Sequence, residues 1–244
     1  MAGKDITEKT LESFNDVFAD ILNVLLFNGK IIVKEGDLEQ TVLRSFYKAD
    51  GKLREQERDT AKFWNKLNFH ISLFGLENET QAEDDLPLRV IGYDGAGYRD
   101  QLFFETDEEG KRRLNKNLRY PVITLVLYFG YKKRWDKPKN LLGCLQDMPA
   151  GILPFVNDYK INLFEIAWLS DEQVSMFKSD FKIVADYFVQ MRKNNNYVPP
   201  HTDVKHIREV LELLSVMTND RRFEYSINES DCEQKEIKNM NEWL

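Results

Sequence analysis

Apolar positions recur along this chain with two periods, and the switches between them mark its elements. Thr10 to Phe27 (TLESFNDVFADILNVLLF) sets Leu11, Phe14, Phe18, Ile21, Leu22 and Leu25 at helical spacing, and Asn28-Gly29 supplies the stop. Lys30 to Arg58 is mixed and charged, with a turn expected at Lys48-Ala-Asp-Gly51 and extended or irregular structure around it. Asp59–Trp64 and Asn68–Glu77 read as two strands, and the short polar link between them favours an antiparallel hairpin. Leu86 to Phe104 reads as a helix with Pro87 near its first turn, despite the cost of Gly92, Gly95 and Gly97 in its interior. Charged Thr106 to Arg119 follows as a loop. Tyr120 to Gly130, rich in β-branched residues, is the clearest buried strand, and Tyr159 to Leu169 is a second strand candidate. Amphipathic helices are expected at Ser179–Arg192 and Val204–Met217, on either side of an Asn-Asn-Asn-Tyr-Val-Pro-Pro hinge.

Strands interleaved with helices predict an α/β protein with a mixed sheet and a helical C-terminal portion. The expected division is an α/β core over 1–175, a helical portion over 176–218 packed on it, and a charged tail over 219–244.

Composition narrows the function classes more than the fold. The 244 residues suffice for one large domain with a sizeable core, and 42% hydrophobic with 31% charged residues is the balance of a folded protein. A formal net charge of -7 argues against a protein coated in nucleic acid but leaves room for a local basic groove. Cys144 and Cys232 lie far apart, in no zinc-site spacing, which suits a reducing compartment. The opening MAGKDITEKTLESFND carries no apolar signal segment, and the longest apolar runs are strand-length. A cytoplasmic protein with no membrane association is expected.

The segment that invites a chemical reading is FGLENETQAEDD, Phe74 to Asp85, where an apolar run ends in carboxylates. Alternation along a strand puts Glu77 and Glu79 on one face and Asn78 on the other. If the preceding strand folds back as a hairpin, Asp59 at its outer end meets Glu77. Carboxylates converging there repel one another unless a divalent cation intervenes, and hard oxygen ligands favour magnesium or manganese over zinc. The competing reading is an ordinary strand end whose acids face water.

Other features carry weaker signals. On the expected helix Asp94, Tyr98 and Gln101 share one sector, while Arg89 and Tyr93 share another. Tyr131-Lys-Lys-Arg-Trp-Asp-Lys-Pro-Lys139 has cations to hold phosphates and an indole, Trp135, to stack on a base, although a solvated loop after a strand accounts for it better. Gly92-Tyr-Asp-Gly-Ala-Gly97 follows no strand and is not a dinucleotide fingerprint. None of His70, His201 and His206 has the spacing of a metal pair.

Taken together, Glu57-Arg-Asp-Thr-Ala-Lys-Phe-Trp64, Ile71-Ser-Leu-Phe-Gly-Leu-Glu-Asn-Glu-Thr80 and Leu86-Pro-Leu-Arg-Val-Ile-Gly-Tyr-Asp94 with Tyr98 and Gln101 resemble the recombination-promoting nuclease (Rpn) and transposase branch of the PD-(D/E)XK nuclease superfamily. The resemblance covers about Asp16 to Gln101. It implies a restriction-endonuclease-like mixed sheet flanked by helices, a magnesium or manganese cofactor, DNA as the partner, and hydrolysis of phosphodiester bonds in DNA recombination; a homodimer is an arrangement open to the chain, whose oligomeric state the sequence does not give. Carried onto this chain, it makes Asp59 and Glu77 metal ligands, Asp16 the helical acid, and Tyr98 and Gln101 groove residues, while Arg89 on the same helix could meet a phosphate. Glu79 stands where the family has lysine or glutamine. Either it becomes a further ligand, or the site is impaired and the protein is a catalytically inactive binding module for protein partners. Lys62 could replace the missing cation only through a bulge, because alternation turns it to the other face.

Overall fold

The structure is a computed structural model in which residues 11–41, 44–49, 52–57, 59–66, 69–106, 108–114, 119–199, 203–218, 220 and 222–223 are described. Leu11 and Glu12 are helical, the chain leaves the helix at Ser13-Phe14, and helix α1 follows over Asn15–Leu25. Strand β1 is Leu38–Thr41, and β2 (Arg44–Ala49) and β3 (Lys52–Glu57) form a separate hairpin. Strands β4 (Thr60–Lys66) and β5 (Phe69–Glu79) lead to helix α2 (Leu86–Arg99), a small hairpin β6–β7 (Phe104–Thr106, Arg112–Leu114) and strand β8 (Val122–Tyr128). A short helix α3 (Leu141–Cys144) and strand β9 (Asn162–Glu165) precede helices α4 (Asp171–Met176), α5 (Phe181–Asn194) and α6 (Ile207–Thr218).

The main sheet has the order β1-β4-β5-β8-β9, antiparallel from β1 to β5 and parallel from β5 to β9. This is a mixed α/β architecture, a five-stranded mixed sheet flanked by helices. Helix α2 carries the crossover that a parallel β5–β8 pair requires. Strands β5 and β8 are buried on both faces because helices cover each. Phe74, Leu76, Leu125 and Leu127 join α1, α5 and α6 in one large core, so the C-terminal helices and the sheet share it. Leu73, Val122, Val126 and Tyr128 point the other way, toward α2 and the loop beyond β8. Among the described residues no helix is long and apolar enough to cross a membrane.

Two departures from the expected elements have simple causes. Helix α2 stops at Arg99 rather than continuing to Phe104, where a hairpin strand begins; Thr106–Arg119, expected as a loop, holds that strand's partner. The second strand candidate is extended only over Asn162–Glu165, and Ile166–Trp168 closes into a 3-10 turn that buries Ile166 and Ala167 against the helices.

Gly97 permits the close approach of α2 to the sheet. A Cβ there would lie 3.1 Å from a Val122 methyl and 3.2 Å from a Leu73 methyl. Gly97→Val is therefore expected to destabilise the fold by about 1–3 kcal/mol through overpacking, visible as a lower urea midpoint with an unchanged m-value. A midpoint equal to the wild type's would contradict this packing. The interior glycine that costs helix propensity is retained for the contact it allows.

Candidate functional site

Thr60 of β4 pairs with Leu76 of β5, so Asp59 stands beside Glu77 at the end of the hairpin. Register is kept from Thr60 to Trp64 and shifts only between Trp64 and Asn65, far from the acids. Asp59 Oδ2 accepts the backbone N–H of Asn78 at 2.8 Å, which ties its carboxylate to the strand that carries the other two. Glu77 and Glu79 are 3% and 7% exposed, buried on the face toward α2. Asn78 points to the opposite face, where its Nδ2 donates to Glu12 Oε2 at 3.0 Å. The alternation read from the sequence is thus present in the structure, and the acids are not solvated.

Burial of two like charges calls for a cation, and α2 supplies one. Arg89, in the first turn of α2, ion-pairs with Glu79 through Nη2, lies 3.6 Å from Glu77 Oε2 with the same nitrogen, and reaches Glu83 Oε2 at 3.2 Å with Nη1. The Arg89 side chain is 33% exposed, so it spans from the buried pair to the surface loop before α2. A helix N-terminus beside the acids adds a favourable partial charge.

The remaining expected site residues are placed elsewhere. Asp16 pairs with Lys205 at 2.7 Å and His206 at 3.2 Å, on the side of α1 that meets the approach to α6. Burial works to raise the Asp16 carboxyl, and its bonds to Lys205 and His206 outweigh that, holding it below the usual carboxylate range. Tyr98 and Gln101 secure the start of β8: Tyr98 Oη accepts from Val122 N at 3.3 Å, and Gln101 Oε1 accepts from Tyr120 N at 2.8 Å. Val122 pairs with Leu73 and Tyr128 with Glu79, so the start of β8 that these two side chains hold lies roughly 13 Å along the strands from Glu77 and roughly 20 Å from Glu79. Asp94 is buried between Thr124 Oγ1 (2.6 Å) and the Tyr159 hydroxyl, both of which donate to it, fastening α2 to β8 and to the chain entering β9.

Lys62 faces the opposite side of β4, as alternation requires. It is 0% exposed and donates to Ser13 O at 2.5 Å and Asn15 Oδ1 at 2.6 Å, capping the break before α1. Trp135 is not available to stack on a base. It is 5% exposed, packs edge-on against Tyr128 with ring centroids 5.2 Å apart, and donates its indole N–H to Lys137 O at 2.9 Å. Three of the basic loop's five cations line a cavity, and two of these are already paired, Lys133 with Asp136 and Lys137 with Asp84 at 2.9 Å. A cleft of about 1000 Å³ opens at the carboxyl ends of β5 and β8, beginning at Thr80, one residue beyond Glu79, with Lys132, Lys133 and Lys137 on its wall. Ligand sites of open α/β sheets lie at strand ends of this kind.

Glu12 is the acid that sequence reasoning passed over. It is 1% exposed and touches the same strand end as Asp59 through Asn78, yet it lies one helical turn before Asp16 and looks equivalent in periodicity. Only the break at Ser13-Phe14 separates their surroundings.

Asp59, Glu77 and Glu79 offer carboxylate oxygens, the donor type that hard divalent cations take. Among the described residues, no set of three or more His, Cys, Asp or Glu side chains is already gathered around one point as a metal cage. Arg89 provides the charge instead. Comparison of the chain with family models, with curated proteins and with solved structures finds no match.

Proposed function

We propose that the sheet end bearing Asp59, Glu77 and Glu79 is the active site of a magnesium- or manganese-dependent endonuclease that hydrolyses DNA phosphodiesters, on a restriction-endonuclease-like fold of the recombination-promoting nuclease and transposase type. The observation that carries this reading is the Thr60–Leu76 register, which sets Asp59 beside Glu77, with Glu79 two residues further along the same strand face. The mixed sheet flanked by helices and the resemblance in sequence support it.

Asp59 and Glu77 would hold the ion, with Glu79 as a further ligand. Bound there, it supplies Lewis-acid polarisation of the scissile phosphate and a lowered pKa for the attacking water. The chain's own part is positioning. The Asn78 N–H fixes the Asp59 carboxylate, and the buried walls around Glu77 keep its charge in a low dielectric where it acts strongly. Lys132 would hold a backbone phosphate at the cleft by charge, without reading sequence, and Lys133 and Lys137 would do so on exchanging Asp136 and Asp84 for phosphate.

A second reading is favoured by the Arg89–Glu79 ion pair: a nuclease-fold module in which arginine permanently replaces the metal and whose role is binding protein partners. Incubation of supercoiled plasmid with the wild type and with Asp59→Ala, in magnesium, in manganese and with a chelator, separates the two. Nicking that requires metal and is lost in Asp59→Ala is the expected result. Intact plasmid under every metal condition would overturn the nuclease reading in favour of the binding module.

A further inference from the structure

We infer that the outer face of α2 is a self-association surface: two copies of the chain pack α2 against α2, antiparallel about a two-fold axis at Gly92, with Arg99 of each copy against Asp85 of the other. This face is turned away from the sheet and its acids, so the pairing holds whether or not they bind metal.

The helix repeat sets Leu88, Gly92, Gly95 and Arg99 in one sector about 60° wide, opposite the buried Val90 and Gly97. Leu88 is 47% exposed, and Tyr98 (49%) and Leu102 (47%) continue the apolar surface past the end of the helix to Phe103 and Phe104, both 53% exposed. The β2–β3 hairpin also approaches α2, and these exposures are what remain with it in place. Five half-exposed side chains of this size present on the order of 400 Å² of apolar surface. A symmetric pair would cover about twice that, below the size of a stable complex, so the dimer is weak.

Glycine costs helix propensity wherever it stands inside α2. At Gly97 the contact with Val122 and Leu73 offsets that cost, whereas a Cβ on Gly95 would meet nothing within 4 Å. The bare backbone at Gly95 leaves room for a second helix. In the antiparallel pair that room receives Leu88 of the other copy.

The charges of this face complement themselves. Arg99, in the last turn, is exposed and forms no ion pair among the described residues. Asp85, the N-cap residue, is exposed and its side chain makes no cap hydrogen bond. Each stands seven residues from Gly92, so an antiparallel crossing there brings them level, with Asp84 beside them. A parallel crossing would instead set Asp85 against Asp85 and Arg99 against Arg99. The two-fold axis makes both ion pairs at once, because each residue meets its partner's counterpart.

Sedimentation equilibrium of the full chain with a chelator present, over about 1–500 μM, tests the pairing; a monomer–dimer equilibrium with a dissociation constant of about 10–100 μM is expected. Gly95→Leu fills the space that receives Leu88 and should weaken association about tenfold or more. It should melt no lower than the wild type, because that space is open in the single chain. Gly95→Ala, the milder variant, should melt higher and weaken association about threefold. Arg99→Glu should weaken it about tenfold, and adding Asp85→Arg to Arg99→Glu should restore it to within about threefold of the wild type. A monomer at every concentration, or a dimer that none of these variants weakens, would overturn the inference. Failure of the double charge reversal to restore association would overturn the antiparallel pairing it depends on.

Discussion

Glu77→Gln is expected to reduce metal-dependent plasmid cleavage by about a thousandfold or more while leaving the fold intact. The amide has the carboxylate's size, so packing around the buried side chain is kept. Arg89 retains Glu79 and Glu83 as partners. What disappears is one negative charge at the position best shielded from water, at 3% exposure. A neutral amide oxygen neither neutralises a dication nor holds it firmly in magnesium's demanding geometry. The thermal midpoint without metal should stay within a few degrees of the wild type's, whereas the stabilisation gained on adding manganese should vanish. Full cleavage by a well-folded Glu77→Gln protein would show that the buried acid is structural.

The second large effect lies on the other face of the sheet. Burial lowers the Lys62 ammonium from its ordinary 10.5 to about 8, against a pull upward from the charge of Asp16. The folded pKa is depressed and the unfolded one ordinary, so between these values the unfolded chain binds the extra proton. Stability therefore rises as pH climbs from about 8 toward 10.5, and below 8 the full penalty of the buried charge is present. Relative to Lys62→Met, the wild type should gain about 2 kcal/mol of unfolding free energy between about pH 7.5 and 9.5. Chemical denaturation at both pH values measures it. Comparison with the variant cancels the buried tyrosines, including Tyr197, whose hydroxyl burial pushes far up. Parallel pH profiles for the two proteins would mean that Lys62 titrates as a solvated lysine.

Lys62 also shows where sequence reading stops. Alternation turns Lys62 away from the acids, but what it meets there, Ser13 and Asn15 at the break before α1, lies far away in the chain. Trp135 failed as a stacking residue for a related reason. Its loop looks polar, but the turn after β8 folds the indole onto Tyr128, Leu86 and Val90 from separate elements. Glu12 and Asp16 were indistinguishable by periodicity, and only the interruption of the helix gives them different neighbours. Tyr98 and Gln101 belong to the same helix as Arg89, yet the helix runs back along the sheet and delivers them to the far end of β8.

By contrast, the features fixed by local periodicity were legible. The length of the apolar runs gave β5 and β8, and the two-residue period of a strand placed Glu77 with Glu79 and turned Asn78 away. The short link in the hairpin gave the meeting of Asp59 with Glu77, since antiparallel strands joined closely must return to their starting level. Arg89 as counter-ion was not legible, because the distance from strand end to helix start depends on how the intervening loop folds. Periodicity reports which face a side chain occupies; what it meets there is decided by elements remote in sequence.

The account stands most directly on cleavage of supercoiled DNA by the wild type and an Asp59→Asn/Glu77→Gln double variant, purified together and titrated with magnesium under single-turnover conditions. The account predicts nicking that grows with magnesium in the wild type and is absent in a double variant that remains folded. Equal cleavage by both proteins, or none by the wild type at any magnesium concentration, would contradict it.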